Sequence, residues 1–187
     1  MKLHQFLAAS VAIVALASGS AIAESTKSEK QAEVRKAAKV TLEDFYKADP
    51  KLKAQVAKSP GYATFTTYGL SFLIGGAGGK GLVHDRKTGK ETFMDMAQAS
   101  AGVQIGASET RILIVFNNEK AVKQFVDSGW EFGGGGGASA GVKGNDVGSG
   151  AGQNVIADAL YYTLTPNGLQ AGGAVAGTKF WKDKDLN

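Results

Sequence analysis

Of the 26 glycines in this 187-residue chain, 25 lie between residues 61 and 177, and none lies in 24–58. Glycine makes a poor helix interior and a weak strand, and inside a sheet it marks bulges, bends or close backbone approach. The chain therefore divides into a glycine-free part fit for helices and a glycine-rich part fit for a strongly curved sheet. The second part also allows a functional reading, a smooth surface where backbone meets a ligand, lipid or partner. Only 3 prolines accompany the glycines, which show no three-residue period, so a collagen-like helix is excluded. Cysteine is absent, which removes disulfide frameworks, thiolate metal sites, iron–sulfur clusters and a cysteine nucleophile. The two histidines, His4 and His84, are too few for a His-based metal site, and neither metal nor cofactor is expected.

Residues 1–23 read as an export leader. Lys2 gives the positive start, Phe6 to Ala17 is apolar apart from Ser10, and Ala21-Ile22-Ala23 supplies the small-x-small cleavage pattern. The apolar stretch is shorter than the ~20 residues a spanning helix needs. A mature chain starting at Glu24, periplasmic or secreted, is the expectation, and an uncleaved anchor is the alternative.

Within 24–58, Val34, Ala38, Thr41, Leu42 and Phe45 recur at the spacing of one helix face. Asp49-Pro50 reads as a cap followed by the first residue of a second helix that turns Leu52 and Val56 inward. This segment holds nine Lys/Arg and six Asp/Glu, whereas 59–187 is balanced. Two readings of that excess stay open: a solvated face laced with ion pairs around Glu33, Arg35 and Lys39, or a basic segment that meets an anionic surface. Nucleic acid is not an expected partner.

Beyond residue 61 the period changes to that of strands. Tyr62–Phe65 and Leu70–Ile74 are short β-rich runs, and Asp85–Lys90 is a polar hairpin turn. Arg111–Phe116 has the continuous apolar character of a central strand. Asn117-Asn118 caps a helix carrying Ala121, Val122, Phe125 and Val126, which Gly129 ends. Leu160–Leu164 and Leu169–Val175 flank a Pro166-Asn167-Gly168 turn. The resulting expectation is α+β: N-terminal helices packed on a strongly curved, antiparallel or barrel-like sheet, with 24–187 forming one domain.

Three catalytic look-alikes fail on context. Gly76–Gly81 fits a dinucleotide-binding spacing, but Leu82-Val83-His84 and a turn follow it where a helix is needed. We expect this glycine cluster, 75–81, to shape a bend between strands, with Lys80 dispensable for stability. Gly137–Gly141 fits a nucleophile elbow around Ser139, yet no histidine follows. The carboxylates Glu91, Asp95, Glu109, Asp146 and Asp158 have no spacing that pairs two of them, and His84 reads as a surface residue. No catalytic residue is assigned and the chain is not read as an enzyme.

Five blocks nevertheless occur in a familiar order: Pro60-Gly61-Tyr62-Ala63-Thr64-Phe65, the cluster 75–83, Ala101–Gly106, Ile112–Val122 and Asn167–Gly177. Together they resemble the SYLF domain family across about residues 30–182. That resemblance implies a lipid-binding module. Eukaryotic members bind phosphoinositide membranes partly through a basic N-terminal segment, and some yeast members bind and bundle actin. On this chain it places anionic phospholipid contact on Lys27, Lys30, Arg35, Lys36 and Lys39. Actin is not expected as a partner in an exported compartment. The alternative is an envelope structural or protein-interaction module without a lipid ligand.

Overall fold

The computed structural model describes residues 25–72, 76–99, 109–132, 155–156, 158–171 and 178–187. Helix α1 (Lys27–Ala48) opens on a reciprocal cap: Thr26 Oγ1 accepts from the Glu29 N–H at 3.2 Å, and the Glu29 carboxylate accepts from the Thr26 N–H at 2.6 Å. Those bonds, the backbone one first, hold the Glu29 carboxyl below its ordinary range. The expected inner face forms, with Val34, Thr41 and Phe45 buried and Ala38 and Leu42 partly so. Asp49 closes α1, its N–H bonded to the Phe45 carbonyl, and Pro50 is the N-cap of α2 (Lys51–Lys58). The second helix thus starts one residue later than its sequence suggested, because α1 still uses Asp49. The Asp49 carboxylate still caps, accepting from the Lys51 N–H at 2.9 Å. Leu52 and Val56 turn inward as expected.

Among the described residues nine strands follow: β1 (Gly61–Phe72), β2 (Gly76–Asp85), β3 (Glu91–Ala99), β4 (Thr110–Phe116), β5 (Trp130–Phe132), β6 (Val155–Ile156), β7 (Ala159–Thr165), β8 (Gly168–Ala171) and β9 (Thr178–Lys182). Helix α3 (Glu119–Ser128) joins β4 to β5. All pairings are antiparallel, in the order β5-β9-β3-β2-β1-β4-β7-β6, with β8 also on β7. The class is α+β. One expectation is corrected: Tyr62–Phe65 and the start of the Leu70–Ile74 run belong to one strand, because β1 pairs with β2 along most of its length. Residues 73–74, the glycine-rich 133–152 and most of 169–175 beyond Ala171 lie outside the described residues.

Both sheet faces are covered. On one, Phe65, Val83, Met94, Met96, Ile112, Ile114, Phe116, Tyr161 and Phe180 pack against Ala121, Val122 and Phe125 of α3. On the other, Leu113, Val115 and Tyr162 meet Phe45, Leu52 and Val56, while Leu82 and Phe93 meet Val34 and Leu186. Strand β4 feeds both cores alternately, which explains its unbroken apolar run. Asn118 Oδ1 caps α3 by accepting from the Ala121 N–H at 2.8 Å, and Gly129 ends it at φ 68°. That left-handed conformation and the Phe180 carbonyl pressed against Gly129 both exclude a side chain there.

The sheet curls around α3. The rings of Phe65 on β1 and Phe180 on β9 are 4.7 Å apart, with two strands between them. On a flat sheet three strand steps of ~4.8 Å would hold them ~14 Å apart at the backbone. Strand β2 makes the curl possible by carrying no side chains where its neighbours lean in. A Cβ on Gly81 would lie 2.6 Å from Phe65 Cγ and nearer still to two other ring atoms, and one on Gly79 would lie 2.6 Å from the Thr66 carbonyl oxygen. The glycines of 76–81 therefore lie within a strand, in register with β1 and β3, and do not form a bend between strands as expected. Their architectural role holds; it is relief from crowding.

Candidate functional site

The strand setting of 76–81 also decides how its backbone can act. Alternate N–H groups of an extended strand point to opposite sides, so they do not converge on an anion as a phosphate cradle requires. Lys80 is committed elsewhere: its Nζ sits 2.5 Å from Asp95 Oδ1 and 2.6 Å from Asp183 Oδ2. The Asp183 side chain is 2% exposed and also accepts from the N–H groups of Asp185 at 2.8 Å and Leu186 at 3.0 Å. Burial pushes this carboxyl up, but the Lys80 ammonium and the two backbone donors outweigh it and hold it below the usual range. For Lys80, burial pulls down and the two aspartates outweigh it, so the ammonium is held above its usual range.

Lys80 is thus not dispensable, contrary to its sequence reading, because removing it strands a buried carboxylate. We expect Lys80→Ala and Asp183→Asn each to melt below the parent at neutral pH. A depressed carboxylate stabilises the fold above its unfolded pKa of ~3.9 and ceases to do so as pH falls through the folded value. The gap between parent and Asp183→Asn should therefore persist down to about pH 4 and close below it. Thermal melts across that range decide it; a gap independent of pH would remove the ion pair from the account.

Three other chemistry-bearing candidates, His84, Glu91 and Glu109, are also engaged. The His84 ring is half-buried 5.4 Å from the Tyr62 ring, not free on the surface. Glu91 pairs with Arg35 at 2.6 Å and Glu109 with Arg111 at 2.9 Å. Asp158 is exposed in a turn. Ser139, Asp146 and the block 101–106 lie outside the described residues. An open hollow of about 550 Å³ is bounded by Asp44, Lys47, Glu109, Arg111, Leu164 and Pro166. Its charges close on one another, Arg111 meeting Asp44 at 2.7 Å and Lys47 meeting Asp44 at 2.9 Å. Among the described residues no three His, Asp or Glu gather as a metal-binding group.

The five candidate cations are spread around α1. Lys27 donates to the Asn187 carbonyl at 2.7 Å. Lys30 is half-buried, and Arg35, besides pairing with Glu91, lies 5.0 Å from the centre of the Phe93 ring. Lys36 and Lys39 are exposed, with Lys39 4.0 Å from Glu43. At ~100° per residue, Lys36 and Lys39 share the outer side of the helix with Glu29, Glu33 and Glu43. The geometry brings Lys36 and Lys39 together and sets Lys27, Lys30 and Arg35 on other sides.

Helix α2 carries three further lysines that its sequence pattern did not bring forward: at ~100° per residue Lys51 and Lys58 share one side, and Lys53 lies on the opposite flank of the buried Leu52 and Val56. Lys51, Lys53 and Lys58 are exposed, the helix has no acidic residue, and none of the three has an ion pair among the described residues. Their signal was present as lysines interleaved with the inward Leu52 and Val56. The β2–β3 turn is tied to the end of this helix, since Arg86 donates through its N–H to the Pro60 carbonyl and through its guanidinium to the Val56 carbonyl. No helix among the described residues is long and apolar enough to cross a membrane.

Residues 97–187 match the family model Ysc84, described as Las17-binding protein actin regulator. Beta cell expansion factor A of Aeromonas veronii is 28% identical over 161 residues, covering 86% of this chain and 60% of that protein. Protein YSC84 of Saccharomyces cerevisiae is 29% identical over 170 residues, covering 84% of this chain and 36% of that protein. The chain thus spans less than two thirds of either relative.

Proposed function

We propose, on the premise that residues 97–187 belong to the Ysc84 (SYLF) family, that this protein is a non-enzymatic binding module of the bacterial envelope that meets anionic phospholipid surfaces. Export by the leader 1–23 is part of this reading. The observation that carries it is the outer side of α2, where Lys51 and Lys58 are exposed without an ion pair among the described residues while Leu52 and Val56 anchor the helix to the sheet. The apolar side of α2 is spent on the core, so contact through it is electrostatic. Each lysine near an anionic surface contributes ~1 kcal/mol and is screened over ~8–10 Å.

Co-sedimentation with phosphatidylglycerol vesicles tests the reading. Binding is expected at low salt and should fade as salt rises. Changing Lys51 and Lys58 together to Gln should weaken it by about thirtyfold, the equivalent of ~2 kcal/mol. Changing Lys30, Arg35, Lys36 and Lys39 together should cost less, since Lys30 and Arg35 lie off the outer side of α1 and Lys36 and Lys39 share it with Glu29, Glu33 and Glu43. Failure to sediment with anionic vesicles at low salt would refute the lipid reading. The family description favours a second reading in that event, a module whose partner is a protein.

A further inference from the structure

Strand β9 alternates buried and exposed as far as Trp181, and so turns an indole to its solvent side. Thr178 and Phe180 are buried, Lys179 and Lys182 face solvent, and Trp181, whose indole is among the costliest side chains to leave in water, is 37% exposed. Among the described residues only Val40 is a comparably exposed large apolar side chain. Lys182 and Lys184 follow Trp181 in the chain, exposed and without an ion pair among the described residues, Lys182 on the opposite face of the strand, while Lys179 reaches Glu131 at 3.4 Å. The intervening carboxylate, Asp183, is turned inward and neutralised by Lys80. Asp185 stays exposed, and the lysines outnumber it.

This segment is rigidly mounted. Trp181 is in register with Asp95 on β3, and the ladder between β5 and β9 ends at Phe180. The following turn is held by the Asp183 N–H on the Phe93 carbonyl at 3.0 Å. The Asn187 amide then accepts from the Phe93 N–H at 3.0 Å and donates to the Phe93 carbonyl at 2.8 Å. An exposed indole at a strand end that runs into unpaired lysines matches the headgroup zone of a bilayer, where an amphipathic ring sits between apolar chains and anionic phosphates.

We infer that Trp181, with Lys182 and Lys184, is the point at which the protein enters the interface of an anionic phospholipid bilayer. The inference rests on the membrane reading above and adds to it an apolar anchor on the sheet, distinct from the helical lysines. The test uses the full mature chain with phosphatidylglycerol vesicles whose acyl chains carry bromine. Tryptophan emission should move to the blue and be quenched by the brominated lipid. Trp130, buried in the aromatic core, supplies the unquenched remainder. Trp181→Phe should abolish the quenching, and Trp181→Ala should weaken sedimentation by roughly tenfold, since interfacial binding scales with buried apolar area. Both variants should keep the parent's melting curve. Vesicle binding without quenching, or a Trp181→Ala protein that binds like the parent, would overturn this anchor and leave the helical lysines as the membrane contact. Absence of any vesicle binding would overturn both readings together.

Discussion

Gly81→Ala is expected to lower the thermal midpoint by about 6–12 °C. The added methyl would overlap the Phe65 ring, which is 1% exposed and is itself wedged against Phe125 and Phe180. An exposed ring could swing away; this one can move only by displacing the cluster that closes the curl. Forcing a methyl into such a core costs ~3 kcal/mol, and a chain of this size loses ~2–4 °C per kcal/mol. Gly78→Ala is the built-in contrast. It lies three positions away on the same strand, and its Cβ would meet nothing closer than 3.9 Å, so its melt should match the parent's. Circular-dichroism melts of the two variants measure the difference. Equal midpoints for Gly81→Ala and the parent would mean that crowding at β2 does not hold the sheet's curvature.

Phe125→Ala should be at least as damaging, with a fall of about 6–20 °C. Phe125 is fully buried and is the hub of the aromatic core: its ring centre lies 4.7 Å from Trp130, 5.4 Å from Phe116, 5.6 Å from Phe180 and 6.2 Å from Phe65. Those four partners come from β5, β4, β9 and β1, so truncation opens a cavity where four strands and α3 meet. Removing a buried phenylalanine costs ~3–5 kcal/mol, the higher value where the surroundings cannot collapse. A drop of only a degree or two would show that α3 is not what the sheet wraps around. Trp130 fluorescence provides a second readout, since its ring packs edge-on against Phe125 at 72°.

What could be read from the sequence was local. The inner face of α1, the Asn118 cap, the Gly129 stop, the Asp85–Lys90 turn and the Pro166-Asn167 turn each depend on residues within a few positions of one another. The capping pair Thr26 and Glu29 was equally local and equally readable, and went unused. Strand β9 was missed because Thr178–Lys182 is a five-residue run flanked by charge, and its strand character comes from partners β3 and β5 far upstream. Lys80 was misjudged for the same reason, its buried partner Asp183 lying 103 positions away. The candidate site was legible only as a list of cations. No helical wheel shows that Lys27 is tied to a carbonyl 160 positions away, or that Arg35 leans on a carboxylate 56 positions away. The family resemblance supplied the function class; the arrangement of the charges had to come from the fold.

The place of β9 in the sheet sets an order of events during folding. Among the described residues strand β5 pairs with β9 and with no other strand, and β9 stands between β5 and β3. Strands β1 to β4 can pair as soon as they exist, since consecutive or nearly consecutive segments meet there, whereas β3 keeps a bare edge until residues 178–182 arrive. Until then Trp130 and Phe125 lack the Phe180 ring, and β5 has nothing to join. Closing a contact of that sequence separation is slow compared with hairpin formation. During synthesis the chain therefore passes through a stage with an open, apolar-sided strand edge, the feature most prone to pairing with a neighbouring chain.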